Sequence, residues 1–230
     1  MNIVLPGDSL DLPALGPSAV IKLGPGVRLE DGRLHAMIAG NLHTQQQPQA
    51  WISGGCGRRY VPAVGEPVVG TVVARGGDMF KVDIGSAQSA TLSAMAFEGA
   101  TKRNRPNLAI GAVVYGRITA AQKDLEPEME CVNPATSKAD GFGELSDGFV
   151  MTRVSLSLCR RLLLDGGGPE VTLLEIGKNV PFELAIGANG RIWIKAAKPQ
   201  NTVAITNAIR ESEHLTSKEA RAVVKKLFFV

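Results

Sequence analysis

Apolar and polar residues alternate with period two on both sides of a short glycine-rich segment near the C-terminal end of the chain. The alternating segments are residues 180–186 and 191–196, and Gly187-Ala188-Asn189-Gly190 lies between them. This alternation is typical of half-buried strands, and Asn-Gly favours the positive φ values of a tight hairpin turn. We therefore predict a β-hairpin in which Asn189 and Gly190 both have positive φ, and we interpret Gly187, Asn189 and Gly190 as a structural motif.

Helical periodicity and a further strand surround this hairpin. A strand is predicted over residues 149–155, helices over 156–164 and 170–178, and a third helix over 202–213. The resulting β-α-α-β-β-α order is that of a KH domain, whose Gly-x-x-Gly loop joins two helices and clamps a nucleic-acid backbone. The corresponding position here is Asp165-Gly166-Gly167-Gly168-Pro169, where an acid stands in place of a useful base. We therefore do not expect this domain to grip RNA.

The middle of the chain contains five short alternating segments. They cover residues 68–74, 79–84, 90–92, 112–120 and 128–132, with a Gly-Gly-Asp turn after the first. Five short strands predict a barrel. Among five-stranded barrels, the OB class binds single-stranded nucleic acid on its second and third strands, through aromatic platforms and nearby cations.

Candidate RNA-binding residues follow from these strand positions and from a basic loop between apolar segments. They are Arg75, Phe80, Lys81, Lys102, Arg103, Arg105 and Arg117. Two alternatives stay open: Phe80 could be a core residue, and the basic loop could serve solvation alone.

The first sixty residues contain further short alternating pieces, notably 33–38 and 50–53, separated by Gly-containing turns. This pattern predicts an antiparallel β platform with a docking role, and residues 62–67 are typical of a linker. The predicted domains are a β platform (1–62), an S1-type OB barrel (63–133) and a KH-like domain (147–230). The expected fold class is mainly β, with an α+β C-terminal part.

Composition and charge narrow the functional classes. A net charge of +3 is too small for nucleic-acid binding by charge alone, so local clusters matter more. No apolar run approaches the roughly 18 residues of a membrane span, and Pro6 and Asp8 interrupt any signal-peptide core, which predicts an intracellular protein without membrane contact. Cys56, Cys131 and Cys159 are too far apart for a zinc module, and we expect inert thiols. The three histidines, His35, His43 and His214, are separated from one another as well, so neither metal nor cofactor is expected.

Three strings resemble a known family. They are Val4-Leu5-Pro6-Gly7-Asp8, the run FEGATKRNRP at residues 97–106, and GANGRIWIKA at residues 187–196. Together with the order of a β platform, an S1 barrel and a KH-like domain, they resemble the RNA-binding cap subunits of the eukaryotic RNA exosome. Of the two sister families, ribosomal-RNA-processing proteins 40 and 4, the strings favour the first, also called exosome component 3.

The resemblance implies a non-catalytic subunit. Such a subunit sits on a ring of RNase PH-like subunits beside other cap subunits, stabilises the ring, and guides single-stranded RNA 3′ ends to an associated exonuclease. The implied processes are rRNA processing and RNA degradation, and the implied compartments are the nucleus, the nucleolus and the cytoplasm. The family treats the motif at Gly187, Asn189 and Gly190 as structural, in agreement with the hairpin interpretation.

Two other functional classes stay open. The chain could be a free S1/KH RNA-binding factor, which would not form an RNA-independent complex with RNase PH-like partners. An enzyme of the Cys-dependent hydrolase or nuclease class would need Cys56, between glycines and Arg58-Arg59, to be an activated thiolate. No histidine is adjacent to Cys56 in sequence, which disfavours the enzyme.

Overall fold

In the first of two compact units, Met1–Arg58, the described residues form two small β-sheets. The computed structural model describes residues 2–10, 22–24, 26–44, 49–53, 59–101, 103–122, 124–163, 169–213, 215 and 217–228. The strands of this unit are β1 (Asn2–Val4), β2 (Ser9–Leu10), β3 (Lys22–Leu23), β4 (Val27–Glu30), β5 (Arg33–Ala36), β6 (Gly40–Thr44) and β7 (Gln49–Ser53). One sheet has the order β1-β6-β7-β3 and the other the order β2-β5-β4.

A small apolar core supports these sheets. Its buried members are Val4, Leu10, Ala36 and Ile52. The platform was predicted to be antiparallel, and this is wrong at one pair, because β3 and β7 are parallel. A parallel pair needs a long crossover between its strands. Residues 24–48 supply that length, and they include the three intervening strands β4, β5 and β6.

The second unit, Arg59–Val230, begins with a five-stranded barrel. Its strands are β8 (Pro67–Gly76), β9 (Met79–Asp83), β10 (Ala90–Phe97), β11 (Val113–Ala120) and β12 (Glu128–Cys131). The order β12-β10-β9-β8-β11 closes through the β11–β12 pair. The pair β10–β12 is parallel and the other pairs of the barrel are antiparallel. The predicted barrel is therefore confirmed, with β10 five residues longer than its alternation indicated.

The remaining elements form the α+β part. They are β13 (Gly143–Leu145), which pairs with β11, then β14 (Phe149–Met151), α1 (Leu156–Leu163), α2 (Pro169–Asn179), β15 (Phe182–Ile186), β16 (Ile192–Ala196), α3 (Pro199–Glu211) and α4 (Ser217–Phe228). The sheet β14-β16-β15 is antiparallel. A buried core that includes Ile176, Ile192, Ile205 and Val224 joins it to the helices. None of the helices in the described ranges is both long and apolar enough to cross a membrane.

The predicted β-α-α-β-β-α order is present, and a fourth helix follows it. Helix α4 was not predicted, although Ala220, Val223, Val224 and Leu227 recur at helical spacing. Among the α4 side chains that the structure describes, Val224 is the most deeply buried, at 1% exposed. Amphipathic helices of this kind are stabilised mainly by packing on a neighbour, and α4 packs against α2.

Asn189 joins the hairpin between β15 and β16 to the barrel. Its Nδ2 group donates to the carbonyl oxygens of Val69 and Ile84, at 2.8 Å in each case. The Val69 N–H donates in return to Asn189 Oδ1 at 3.3 Å. Asn189 is 7% exposed. One buried amide therefore satisfies polar backbone groups of two different barrel segments.

Each glycine of the motif is required by a close contact, Gly187 on the barrel side and Gly190 against the segment between β14 and α1. A Cβ on Gly187 would lie 2.2 Å from Asn189 Oδ1, and one on Gly190 would lie 2.7 Å from the Val154 carbonyl oxygen. Gly190 has φ +78°, as predicted, but Asn189 is not among the described non-glycine residues with positive φ. The prediction of positive φ at Asn189 is wrong. The loop between Ile186 and Ile192 has five residues instead of two, so Asn189 can keep an ordinary backbone while its side chain enters the barrel wall.

Further contacts extend the joint between the barrel and the KH-like part. Arg191 donates to both the main-chain oxygen and Oδ2 of Asp83, at 2.6 Å each, and the Tyr115 hydroxyl donates to the Ile186 carbonyl at 3.1 Å. Burial alone would raise the pKa of Asp83, but hydrogen bonds from Arg191 and from the Gly85 N–H outweigh it and hold the pKa below its ordinary value. Burial raises the pKa of Tyr115 to about 12. Val69 and Trp193 pack together in an apolar cluster at the same joint.

Replacing Asn189 with alanine should destabilise the chain by on the order of 3 kcal/mol, because two carbonyls and one N–H would be left buried without partners. Urea denaturation of the wild type and the variant measures this loss. The matched control is Asn179→Ala, which removes one hydrogen bond to Glu175 from an exposed asparagine and should cost less than about 0.5 kcal/mol. Equal effects of the two substitutions would contradict a special role for Asn189.

Candidate nucleic-acid interface

The face of β9 and β10 carries one predicted RNA-binding cation, and that cation has a local partner. Lys81 lies opposite Thr91 in the strand register, and its Nζ donates to Thr91 Oγ1 at 3.2 Å and to Glu126. The hydrogen bond from Lys81, and then one that the Thr91 hydroxyl donates to Glu126 Oε2 at 3.1 Å, hold the pKa of Glu126 below its ordinary value. The Lys81 side chain is 38% exposed. Lys81 can therefore face a phosphate, although part of its charge is already compensated.

A second group of cations lies at the end of the barrel where β8 turns into β9. Arg75 donates to Asn107 Oδ1, and Arg105 forms an ion pair with Asp78 in the turn. These contacts fasten the basic loop to the end of β8. Arg103, in the same loop, is exposed, and Lys102 lies outside the described residues. Arg75, Arg103 and Arg105 are thus brought together by the fold, although 25 or more residues separate Arg75 from the loop.

Phe80 does not belong to this surface. Its side chain is 1% exposed and packs in the barrel core with Val82 and Leu92. Successive residues of a strand point to opposite faces of the sheet. Phe80 and Lys81 could therefore never have contacted RNA from the same face. The predicted stacking role of Phe80 is wrong, and the core alternative is correct.

Arg117 is also separated from these cations. It lies on β11 opposite Pro67, at the start of β8, whereas Arg75 lies near the other end of that strand. Its Nε donates to the Gly65 carbonyl at 3.2 Å. The fold therefore does not bring Arg117 to the candidate interface, and its guanidinium fastens the segment before β8 to the barrel.

The Gly-x-x-Gly segment of the hairpin faces the barrel. Its buried asparagine and the close contacts of its glycines leave no room for a backbone clamp. The loop between α1 and α2, where a KH clamp would be, has residues 164–168 outside the described ranges.

The described thiols are buried. Burial raises the pKa of both Cys131 and Cys159 to about 12. His43 stacks on Trp51, with ring centroids 5.4 Å apart, while Cys56 and His214 lie outside the described residues. Within the described part of the chain, no three His, Cys, Asp or Glu side chains are grouped so as to hold a metal ion.

Comparison with known proteins places this arrangement in a family. The model for the S1 domain of exosome complex component RRP40 matches residues 60–143, and a KH-domain model matches residues 148–200. Exosome complex component rrp40 of Schizosaccharomyces pombe is 38% identical, over 99% of this chain and 96% of its own length. The chain belongs to the RRP40 family. Human RRP40 is 37% identical over 98% of this chain and 90% of its own length, so the resemblance inferred from sequence strings is confirmed.

Two further comparisons bear on the sister family and on the fold. Exosome complex component Rrp4 of Thermoplasma acidophilum is 28% identical over 96% of this chain and 87% of its own length, a lower identity than that of the RRP40 relatives. A crystal structure described as that of an exosome complex RNA-binding protein superposes with a TM-score of 0.58 at 20% identity. It covers 74% of this chain and 95% of its own length, and it supports the fold alone.

Substituting both Arg75 and Arg103 with serine should weaken binding to single-stranded RNA of any sequence. It should also flatten the dependence of log affinity on log salt by about 0.7 per arginine, because each phosphate contact on a single strand releases counterions. Fluorescence anisotropy across a salt series measures both effects. The charge-matched control is Arg210→Ser with Lys226→Ser, on exposed positions of α3 and α4. Equal slopes for the wild type and the Arg75/Arg103 variant would show that these two arginines do not contact RNA phosphates.

Iodoacetamide at pH 8.5 should leave Cys131 and Cys159 unmodified in the native chain and label both rapidly in urea. A thiol with a pKa of about 12 is almost fully protonated at this pH, and the thiolate is the reactive form. Since unfolding returns both pKa values to about 8.5, the thiols should also make the fold less stable as the pH rises from about 9 toward 12. Rapid labelling of either cysteine without denaturant would contradict their burial. Mass spectrometry of tryptic peptides distinguishes the two sites from Cys56.

Proposed function

We propose that this chain is a non-catalytic RNA-binding cap subunit of the RNA exosome. The observation that carries the proposal is the near full-length similarity to RRP40 proteins, combined with matches to both an S1 and a KH model. In this role the chain stabilises a ring of RNase PH-like subunits next to other cap subunits. It guides single-stranded RNA 3′ ends to an associated exonuclease for rRNA processing and RNA degradation, in the nucleus, the nucleolus and the cytoplasm.

The proposed domain boundaries are 1–62 for the β platform, 63–133 for the S1 barrel and 147–230 for the KH-like domain. The proposed RNA contacts are Arg75, Lys81, Arg103 and Arg105, with Lys102 in the same loop. Support comes from the grouping of three arginines at one end of the barrel and from the exposure of Lys81 on its second strand. Two of these cations are paired with carboxylates, Lys81 with Glu126 and Arg105 with Asp78. The isolated chain should therefore bind RNA weakly.

The non-catalytic assignment is supported by the two buried thiols, which are protonated at neutral pH and cannot act as nucleophiles. The S1 and KH matches favour a binding role as well, since both are modules that bind nucleic acid.

A tagged chain purified from cells should retain RNase PH-like subunits after nuclease treatment and at moderate salt, because the proposed contacts to the ring are between proteins. Mass spectrometry of the eluate identifies the partners. The variant Arg75→Ser/Arg103→Ser serves as a control and should retain the same partners. Loss of every ring subunit on nuclease treatment would instead favour a free S1/KH RNA-binding factor.

The purified chain should not shorten a single-stranded RNA in the presence of Mg²⁺, Mn²⁺ or phosphate. Uncatalysed phosphodiester cleavage is so slow that even a poor active site would be visible above it, so denaturing gels give a sensitive test. The variant Cys56→Ser separates the remaining thiol hypothesis from a contaminating nuclease. Trimming that survives repurification and is abolished by Cys56→Ser would overturn the non-catalytic assignment.

A further inference from the structure

A cleft of about 490 Å³ lies beside the barrel, next to the basic loop. Its lining includes Phe97, Leu108 and Phe142. Leu108 is buried in the barrel core, and both phenylalanines are partly exposed and pack against that core. The cleft falls in the size range of small-ligand sites, about 300–1,000 Å³. It therefore offers an apolar, partly aromatic floor that is open to solvent.

The rim of the cleft is polar and contains two carboxylates and the guanidinium of Arg105, which forms an ion pair with Asp78. Glu98 accepts a hydrogen bond from the Ala139 N–H at 2.7 Å, which fixes one side of the rim, and Glu144 is exposed on β13. A carboxylate accepts hydrogen bonds and repels phosphate. The rim therefore suits a neutral, flat group that carries N–H donors on its edge.

The basic loop places one cation, Arg105, in the lining of the cleft and a second, Arg103, on the adjoining exposed surface. Within the loop, the Thr101 N–H donates to the Asn104 carbonyl at 2.9 Å and the Asn104 N–H donates to the Thr101 carbonyl at 3.1 Å. These bonds close a tight turn that has Arg103 near its tip, while Ala100 and Asn104 line the cleft. One side of the turn thus faces the cleft, and its tip faces solvent with a positive charge.

We propose that this cleft receives one unstacked, amino-bearing nucleobase of single-stranded RNA, while Arg103 and Arg105 contact the flanking phosphates. This inference rests on the proposed RNA-binding function and adds a base site to it. Proteins recognise single-stranded RNA by stacking splayed bases on aromatic side chains and by hydrogen bonding to their edges. Phe97 and Phe142 supply the aromatic surface that Phe80 cannot, and the rim carboxylates accept from the exocyclic amine of cytosine, adenine or guanine.

The first test fills the cleft without changing charge. Ala100→Trp in the full-length chain should weaken binding to a mixed-sequence single-stranded RNA by about tenfold, the loss expected for one stacked base. It should leave the salt dependence unchanged, because the phosphate contacts remain. Photocrosslinks from 5-iodocytidine in that RNA to peptides of residues 97–108 should be lost as well. Ala222→Trp, at an exposed position of α4, is the matched control and should change neither quantity.

A second variant tests the edge contacts without adding bulk. The wild type should prefer oligocytidine over oligouridine by about fivefold, and Glu144→Gln should largely remove this preference because the amide also donates. Glu144 is exposed, so folding should be unaffected, and circular dichroism checks this.

The outcomes separate this inference from the proposed function. If the wild type binds RNA but Ala100→Trp changes neither affinity nor crosslinking, the base site is refuted and the RNA-binding function stands. If the assembled complex shows no RNA contact through this chain at all, both fail. Protection of residues 97–108 from hydrogen exchange by protein subunits in the absence of RNA, without base crosslinks, would assign the cleft to a protein partner and refute the inference.

Discussion

The side-chain amide of Asn189 is the interaction on which the second unit depends. It is the hydrogen-bond partner of main-chain groups on β8 and after β9, and Val69, one of these residues, also belongs to the apolar cluster at the joint. Buried backbone groups without partners are costly, so the barrel is complete only when the hairpin from the KH-like part lies against it. Gly187, the Arg191–Asp83 pair and the packing of Trp193 all serve the same approach of the hairpin to the barrel.

The sequence predicted the elements of this fold well where local signals decide them. Alternation and turn residues located the five barrel strands, the hairpin and three of the four helices of the α+β part. They could not predict the partners of Asn189, because Val69 and Ile84 are 120 and 105 residues away along the chain. The motif was correctly separated from a helix-joining clamp, but the hairpin turn chemistry offered for Asn189 was wrong. The Asn189 side chain instead makes hydrogen bonds to Val69 and Ile84, which are distant in sequence.

The candidate interface also has some features that the sequence predicts and others that only the fold creates. The basic loop is visible in the sequence as a cluster of cations, whereas its proximity to Arg75 follows only from barrel closure. Phe80 shows the opposite case, since the pattern Phe80-Lys81-Val82 already assigns Phe80 to the apolar face, and strict use of the period-two rule would have excluded it. The cleft beside the loop had no sequence signal, because Phe97 and Phe142 are 45 residues apart and meet only after β13 pairs with β11.

The joint between the barrel and the hairpin also constrains the order in which the chain can acquire its structure during synthesis. The barrel strands end at Cys131, but the side chain that satisfies Val69 and Ile84 leaves the ribosome more than fifty residues later. Contacts of such long sequence separation form late and slow folding, because loop closure must precede them. Until then the nascent barrel exposes polar backbone groups and the apolar surface around Val69, which are features of aggregation-prone intermediates. Substitutions in the hairpin should therefore act on the yield of folded protein during translation as well as on the stability of the finished chain.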